Sequence, residues 1–231
     1  MKTFVIKKEH LDKDNYYIGK EDLTNFDGNI ESDENLGYVK FKTNLSAKGY
    51  IFFRSGSGIE AGYGISAGSG ISAVYGISAG SGIKAGWGIE AGWGIEAGEG
   101  IEAGYGISAG SGISAGCGIK AGWGIKAGWG IEAGEGIEAG SGIEAGLNIF
   151  CKLELSCRSR LFAGLCLWRN LNSDDEKTIT CGKLVSGTIE YGILNEIGLP
   201  SKDNNKKTIL LLKADELIKK ANELKSEAEK F

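Results

Sequence analysis

The residues with the right types and spacing for chemistry arrive in this chain as a pattern. Gly62 to Ala73 reads GYGISAGSGISA and contains G-I-S-A-G, the G-x-S-x-G spacing that sets a serine nucleophile on a strained strand-to-helix elbow. The same five letters recur at Gly76 to Gly80, Gly106 to Gly110 and Gly112 to Gly116. Four elbows in one chain argue against any. The position of Ser66, Ser78, Ser108 and Ser114 is held by Lys84 or Glu90 in sister repeats, and the single histidine, His10, lies in the charged N-terminal region. The general base that a serine nucleophile needs is not visible. A G-x-G-x-x-A match to the dinucleotide fingerprint repeats for the same reason and lacks a βαβ context. Of the cysteines Cys117, Cys151, Cys157, Cys166 and Cys181, three (Cys151, Cys157 and Cys181) fall where the repeat has a small apolar residue, and no C-x-x-C exists. The run Asp27, Asn29, Glu31 and Asp33 has part of a calcium-loop spacing without its glycine or closing Glu, and reads as a solvated polar face. The expectation is a chain with no catalytic residues, no metal site and no cofactor.

The elements that carry these residues follow from a hexad, I-x-A-G-x-G. Ile recurs without a gap at every sixth position from Ile59 to Ile149, sixteen times. The phase continues at Leu155, Leu161 and Leu167, and after the polar insertion at 170–178 it is expected to resume at Ile179, Val185 and Tyr191. Upstream, Phe53 fits the phase, while Val39, Leu45 and Ile51 keep the step displaced by two, which a bulge near Phe52 would absorb. A step of six does not suit an α-helix, and each glycine inside one costs roughly 1 kcal/mol relative to Ala. Short strands with glycine corners do fit. Ile and Ala share the inner face, the residue between them points out, and G-x-G supplies the permissive dihedrals of a bend. This is one side of a β-solenoid.

Charge decides between coil sizes. With three hexads per coil, Lys84, Glu102, Lys120 and Glu138 form a column of alternating sign, and Lys126 stacks with Glu144. With two, Glu90 meets Glu102 and Glu132 meets Glu144, like pairs that cross-strand energetics disfavour. Four hexads also avoid like pairs, but only three stack Trp87, Tyr105 and Trp123 in one column. The predicted fold is an all-β solenoid, a single-stranded triangular β-helix of about 18 residues per coil, with a C-terminal α-helix. Residues 1–38 form an N-terminal cap, 39–194 the solenoid, 195–207 a linker and 208–231 an amphipathic helix. Leu210, Leu217, Leu224 and Phe231 lie on that helix's 4-3 heptad seam and are the candidate oligomerisation residues, by which the chain would form a homodimer.

The 231 residues include 39 glycines and one proline, and carry a net charge of -4. Such an acidic balance makes nucleic acid an unlikely partner, because duplex affinity rests on Lys and Arg. No apolar leader and no run of about 18 apolar residues is present, so the expectation is a cytoplasmic protein without a membrane partner. What remains is surface. The fifth hexad position carries Tyr63, Tyr75, Trp87, Trp93, Tyr105, Trp123 and Trp129, the candidate partner-binding residues. Exposed, they would make a rigid aromatic ladder of the kind enriched at binding hot spots.

In its six-residue aliphatic step, the array resembles the bactofilin type of polymer-forming β-helix. Its I-x-A-G-x-G flavour is similar to β-helix proteins of low-GC bacteria and their phages or mobile elements. The first resemblance implies a self-assembling structural protein. The second implies a non-catalytic inhibitor of host defence, of the anti-CRISPR type, that occludes a protein partner. Hexapeptide acyltransferases and γ-class carbonic anhydrases share only the repeat length; their sites are built on histidines that this repeat lacks. A third expectation, from the aromatic ladder itself, is stacking on a carbohydrate or on single-stranded nucleic acid.

Overall fold

The computed structural model describes residues 1–166 and 168–199. Leu167, most of the expected linker, and the expected helix with Leu210, Leu217, Leu224 and Phe231 lie outside the described residues. The unit Met1–Ile197 is a parallel β-solenoid.

The chain opens with β1 (Lys2–Ile6), β2 (Gly28–Ser32), β3 (Gly37–Phe41), β4 (Leu45–Ala47), β5 (Ile51–Phe53) and β6 (Ser57–Ala61). Fifteen three-residue strands follow, from β7 (Ile65–Ala67) to β21 (Ile149–Cys151). The array closes with β22 (Glu154–Ala163), β23 (Thr178–Cys181), β24 (Lys183–Tyr191) and β25 (Ile193–Glu196). Through the repeat, each strand pairs in parallel with the strand 18 residues on: Ile83 lies opposite Ile101, and Lys84 opposite Glu102. Three hexads therefore close one coil. One flat side is a sheet of nine strands; the other two join into one sheet because β22 runs through the corner between them.

The inner rows explain why the hexad folds this way. Every Ile from Ile59 to Ile149 is at most 1% exposed, and the Ala rows are nearly as buried. Fully burying an Ile side chain is worth about 1.5–3 kcal/mol, so each hexad brings its own share of core. The corners extend the hydrogen-bond ladder. Gly104 N–H donates to Ala85 O (3.0 Å) and Tyr105 N–H to Trp87 O (3.0 Å).

Three features differ from the sequence expectation. The first concerns the glycines. None of those from Gly58 to Gly146 has a positive φ, so the corners do not use glycine for its dihedral freedom. A Cβ on Gly104 would lie 2.1 Å from the carbonyl oxygen of Gly86 in the coil below, and the need is for close stacking.

The second concerns the phase at the N-terminal end. Ile51 holds the Ile row opposite Ile71, and Phe53 takes the Ala row opposite Ala73. The two extra residues sit in the corner after β5, where Ser55 and Gly56 turn with φ of 52° and 73°, rather than in a bulge at Phe52. Phe41 and Phe53 fill Ala-row positions in this first full coil, ring centroids 6.4 Å apart. Phe4, Tyr17 and Phe26 continue that cluster beneath it, with Tyr17 5.7 Å from Phe41.

The third concerns the phase after the insertion. Ile179 is buried, but Val185 and Tyr191 are exposed, and Leu184 and Ile189 lie over Leu155 and Leu161 instead. Register shifts along β22 and β24 replace the six-residue step there. The insertion is held by a two-pronged ion pair, Arg169 to Glu176 at 2.7 and 3.0 Å, and that guanidinium holds the Glu176 carboxyl down at about 2.

Candidate binding surface

The outward residue of each hexad gives every side of the prism its own chemistry. One side stacks Ser66, Lys84, Glu102, Lys120 and Glu138, with Lys84–Glu102 and Lys120–Glu138 paired at 2.9 Å; this is the ion-pair face. The hydrogen bond that Lys120 donates to the Glu138 carboxylate raises the lysine's pKa. A second side stacks Glu60, Ser78, Glu96, Ser114 and Glu132, the acidic face. The third runs Phe52, Ser72, Glu90, Ser108, Lys126, Glu144 and Phe162.

This third side is flanked by aromatic corners on both edges. On one edge the backbone ladder stacks Ser69, Trp87, Tyr105, Trp123 and Ser141, and the rings of Tyr105 and Trp123 lie 5.8 Å apart, tilted by only 3°. On the other it stacks Tyr75, Trp93, Ser111, Trp129 and Leu147, with Tyr75 stacked on Tyr38 at 5.9 Å and against Trp93 at 5.3 Å. Tyr63 belongs to the remaining corner, in a column with Ser81, Glu99, Cys117 and Glu135. The two corners that bound this side thus carry six of the seven candidate aromatics, and Tyr63 stands apart. Trp87, Trp93, Tyr105, Trp123 and Trp129 are 54–70% exposed. The rings stand out from the corners rather than lying flat over the glycines.

Along this side runs a groove of about 960 Å³, floored by the Gly and Ile backbone and the outward residues from Phe52 to Phe162 and walled on one edge by Tyr105 and Trp123, while Trp93 of the other edge lines, with Tyr38, a second groove over the acidic face. Each end is closed by a phenylalanine beside an arginine. Arg54 lies over the Phe52 ring at 4.5 Å and reaches Glu31, and Arg160 pairs with Glu190 at 3.4 Å. Within the groove Lys126 pairs with Glu144 at 2.9 Å, while Glu90 sits between Ser72 and Ser108 without an ion pair among the described residues. Sequence reasoning passed over Tyr38, Phe52, Phe162 and the exposed Trp168. Phe52 and Phe162 hold the outward hexad position in degenerate repeats, and that position was the signal that would have found them.

The nucleophile candidates are scattered. Ser66 stands on the ion-pair face, Ser78 and Ser114 on the acidic face and Ser108 on the aromatic face. His10 sits at the N-terminal end, stacked on Phe4, and its Nδ1 accepts the Lys7 N–H. Burial pushes the Cys151 thiol up to about 12 and the Cys181 thiol to about 11, the reverse of an activated nucleophile. No group of three or more His, Cys, Asp or Glu among the described residues is arranged to hold a metal ion. Asp27 pairs with Lys48, and Glu31 accepts the Tyr50 hydroxyl, which raises the tyrosine's pKa. No helix among the described residues is long and apolar enough to cross a membrane.

The fold and its surface define the class: a parallel three-sided β-solenoid with about 18 residues per coil and an aromatic-rimmed face. Comparison with protein families, curated proteins and solved structures returned no match.

Proposed function

We propose that this chain is a rigid, non-catalytic interaction protein that docks a protein partner along its aromatic face, and so occludes or scaffolds it. The observation that supports this most is the set of exposed tryptophans along both corners of one side, with Tyr105 and Trp123 walling the groove on that side. Exposed rings normally cost order or invite aggregation, but here the backbone ladder holds each at a set height. The backbone that presents the rings is thereby ordered before binding, and aromatic anchors on a preorganised scaffold lose less on docking. Glu90, Lys126 and Glu144 between the rims supply polar register. A single-stranded nucleic acid would need a cationic track along these rings, and the groove holds more carboxylates than ammonium groups between its ends.

The test changes Trp87, Trp93, Trp123 and Trp129 to Ala together and compares capture from cell extract with that of the unaltered protein. Partners lost with the rims but kept when Lys84 and Lys120 on the ion-pair face are changed to Ala support the reading. Partners that all survive loss of the rims overturn it. A finer reading, an inhibitor of host defence, predicts that expression protects an infecting phage only while the rims are intact.

A further inference from the structure

The aromatic face is nearly the same read in either direction along the rod. Its center is the rung of Tyr105, Ser108 and Ser111. Counting outward on one rim, Trp87 mirrors Trp123 and Ser69 mirrors Ser141; on the other, Trp93 mirrors Trp129, and beyond them Tyr75 stands opposite Leu147, an apolar but not identical pair. Along the floor, Phe52 mirrors Phe162, and Glu90 mirrors a residue of opposite charge, Lys126. Ser72 and Glu144 are the one unlike floor pair, and they do not repel.

From this symmetry we propose that the partner of the aromatic face is a second copy of the chain, docked face to face and antiparallel about a two-fold axis through the Ser108 rung. The inference rests on the proposed docking role of this face and names its occupant. A two-fold across the rod lays each rim on the same rim of the other copy with the direction reversed. Trp87 then meets the partner's Trp123, Trp93 meets Trp129, and Tyr105 meets itself. The Glu90 carboxylate, which has no ion pair among the described residues, faces the partner's Lys126, twice per dimer. A parallel pairing would instead set Glu90 on Glu90 and Lys126 on Lys126, which like-charge juxtaposition disfavours.

Spacing selects the same partner. Ladder rungs recur at about 4.8 Å, and a second copy matches that repeat rung for rung over its whole length. Seven rungs from Phe52 to Phe162 span roughly 29 Å, and a side with its two corners is roughly 20 Å wide, so about 600 Å² in projection is covered on each copy. The accessible area exceeds the projection and approaches the ~800 Å² per partner of a standard interface. The isologous contact closes on itself and leaves the ion-pair and acidic faces of both copies free.

The test is sedimentation equilibrium of the full chain and point variants. The unaltered protein is expected to be a dimer, and Glu90→Lys to weaken dimerisation at least about tenfold by facing Lys126 with another cation. The double variant Glu90→Lys with Lys126→Glu restores it. Ser108→Arg, on the two-fold, gives monomer, whereas Ser114→Arg, the equivalent change on the acidic face, leaves the dimer intact and shows that a bulky outward residue is compatible with the fold. An unaltered chain that stays monomeric at about 100 µM overturns the inference, as does a dimer that Ser108→Arg and Glu90→Lys both leave unchanged. A monomer whose rims still capture another protein overturns this inference alone; rims that matter to neither overturn the docking role as well.

Discussion

Gly104 and Gly106 are two residues apart in one corner, and their neighbours differ. A Cβ on Gly104 would lie 2.1 Å from Gly86 O and 3.0 Å from its carbonyl carbon, both backbone atoms of the coil below. Neither can yield without parting the ladder. A Cβ on Gly106 would lie 3.3 Å from Gly124 O, a contact that a few tenths of an ångström of movement relieves. Gly104→Ala is therefore expected to cost about 1–3 kcal/mol or more, as overpacking of a dense interior does. Gly106→Ala should stay within about 1 kcal/mol, because reduced freedom in the unfolded chain offsets part of the strain. Urea unfolding of the two variants checks this. Equal losses would mean that both glycines serve the backbone dihedral and not the stack. Val74 is one of two exceptions in the sixteen hexads, with Lys152 at the end of the array: it occupies the Gly104-type position where the corner below, at Arg54 and Ser55, is widened by the two extra residues.

At the level of strands, the last coils replace Ala with larger thiols. Cys151 ends β21, and Cys181 ends β23, the next strand on the same side; both are fully buried. Burial first, then the neighbouring Cys181, lifts Cys151 to about 12, and burial first, then Glu196, lifts Cys181 to about 11, from an ordinary value of 9.0. The folded-state values are above the unfolded ones. The stabilisation is thus complete below pH 9 and is lost as the pH rises toward 11, when the unfolded thiols ionise and the folded ones do not. The urea midpoint should fall as the pH rises from about 9 toward 11, and fall less in the variant with both cysteines changed to Ala. Identical slopes would place the alkaline sensitivity elsewhere. The strand-level pattern was legible in the sequence wherever the repeat was regular. The charge column of Lys84, Glu102, Lys120 and Glu138 and the ring column of Trp87, Tyr105 and Trp123 point to three hexads per coil, and both columns are present. Legibility failed where a residue's place depends on the coil above or below. Phe53 fits the Ile phase by counting but fills the Ala row, because the turn at Ser55 and Gly56 absorbs two residues after it. Val185 and Tyr191 keep the step yet face outward, because β24 follows the shifted register of β22. The six aromatics around one face were each visible, but their convergence needed the coil to be closed first.

For the whole solenoid, core and surface obey different periods, and this separates folding from binding. The inner Ile and Ala rows repeat every hexad, while the outward columns repeat only after a full coil of 18 residues. Deleting 112–117 removes one hexad and leaves I-x-A-G-x-G unbroken, so every downstream coil still stacks Ile on Ile and Ala on Ala. All later outward residues, however, move round by one side. Lys126 leaves the aromatic face for the ion-pair face, Glu132 takes its place over Ser108, and Trp123 passes to the corner of Glu99 and Cys117. Deleting 100–117 removes a full coil and moves no residue to another side. It shortens the rod by about 4.8 Å and sets Lys84 beside Lys120 on the ion-pair face and Glu96 beside Glu132 on the acidic face, exposed pairings of small consequence. Glu90 still mirrors Lys126, Trp87 still mirrors Trp123 and Trp93 still mirrors Trp129. Both deletions are expected to give the far-ultraviolet dichroism and cooperative unfolding of the full chain. Only the six-residue deletion should abolish dimerisation and partner capture, since it sets Glu90 against the partner's Glu132. If the shorter deletion dimerises like the full chain, the aromatic face is not the contact; if it fails to fold, the hexads are not interchangeable and the outward columns contribute to the core's register.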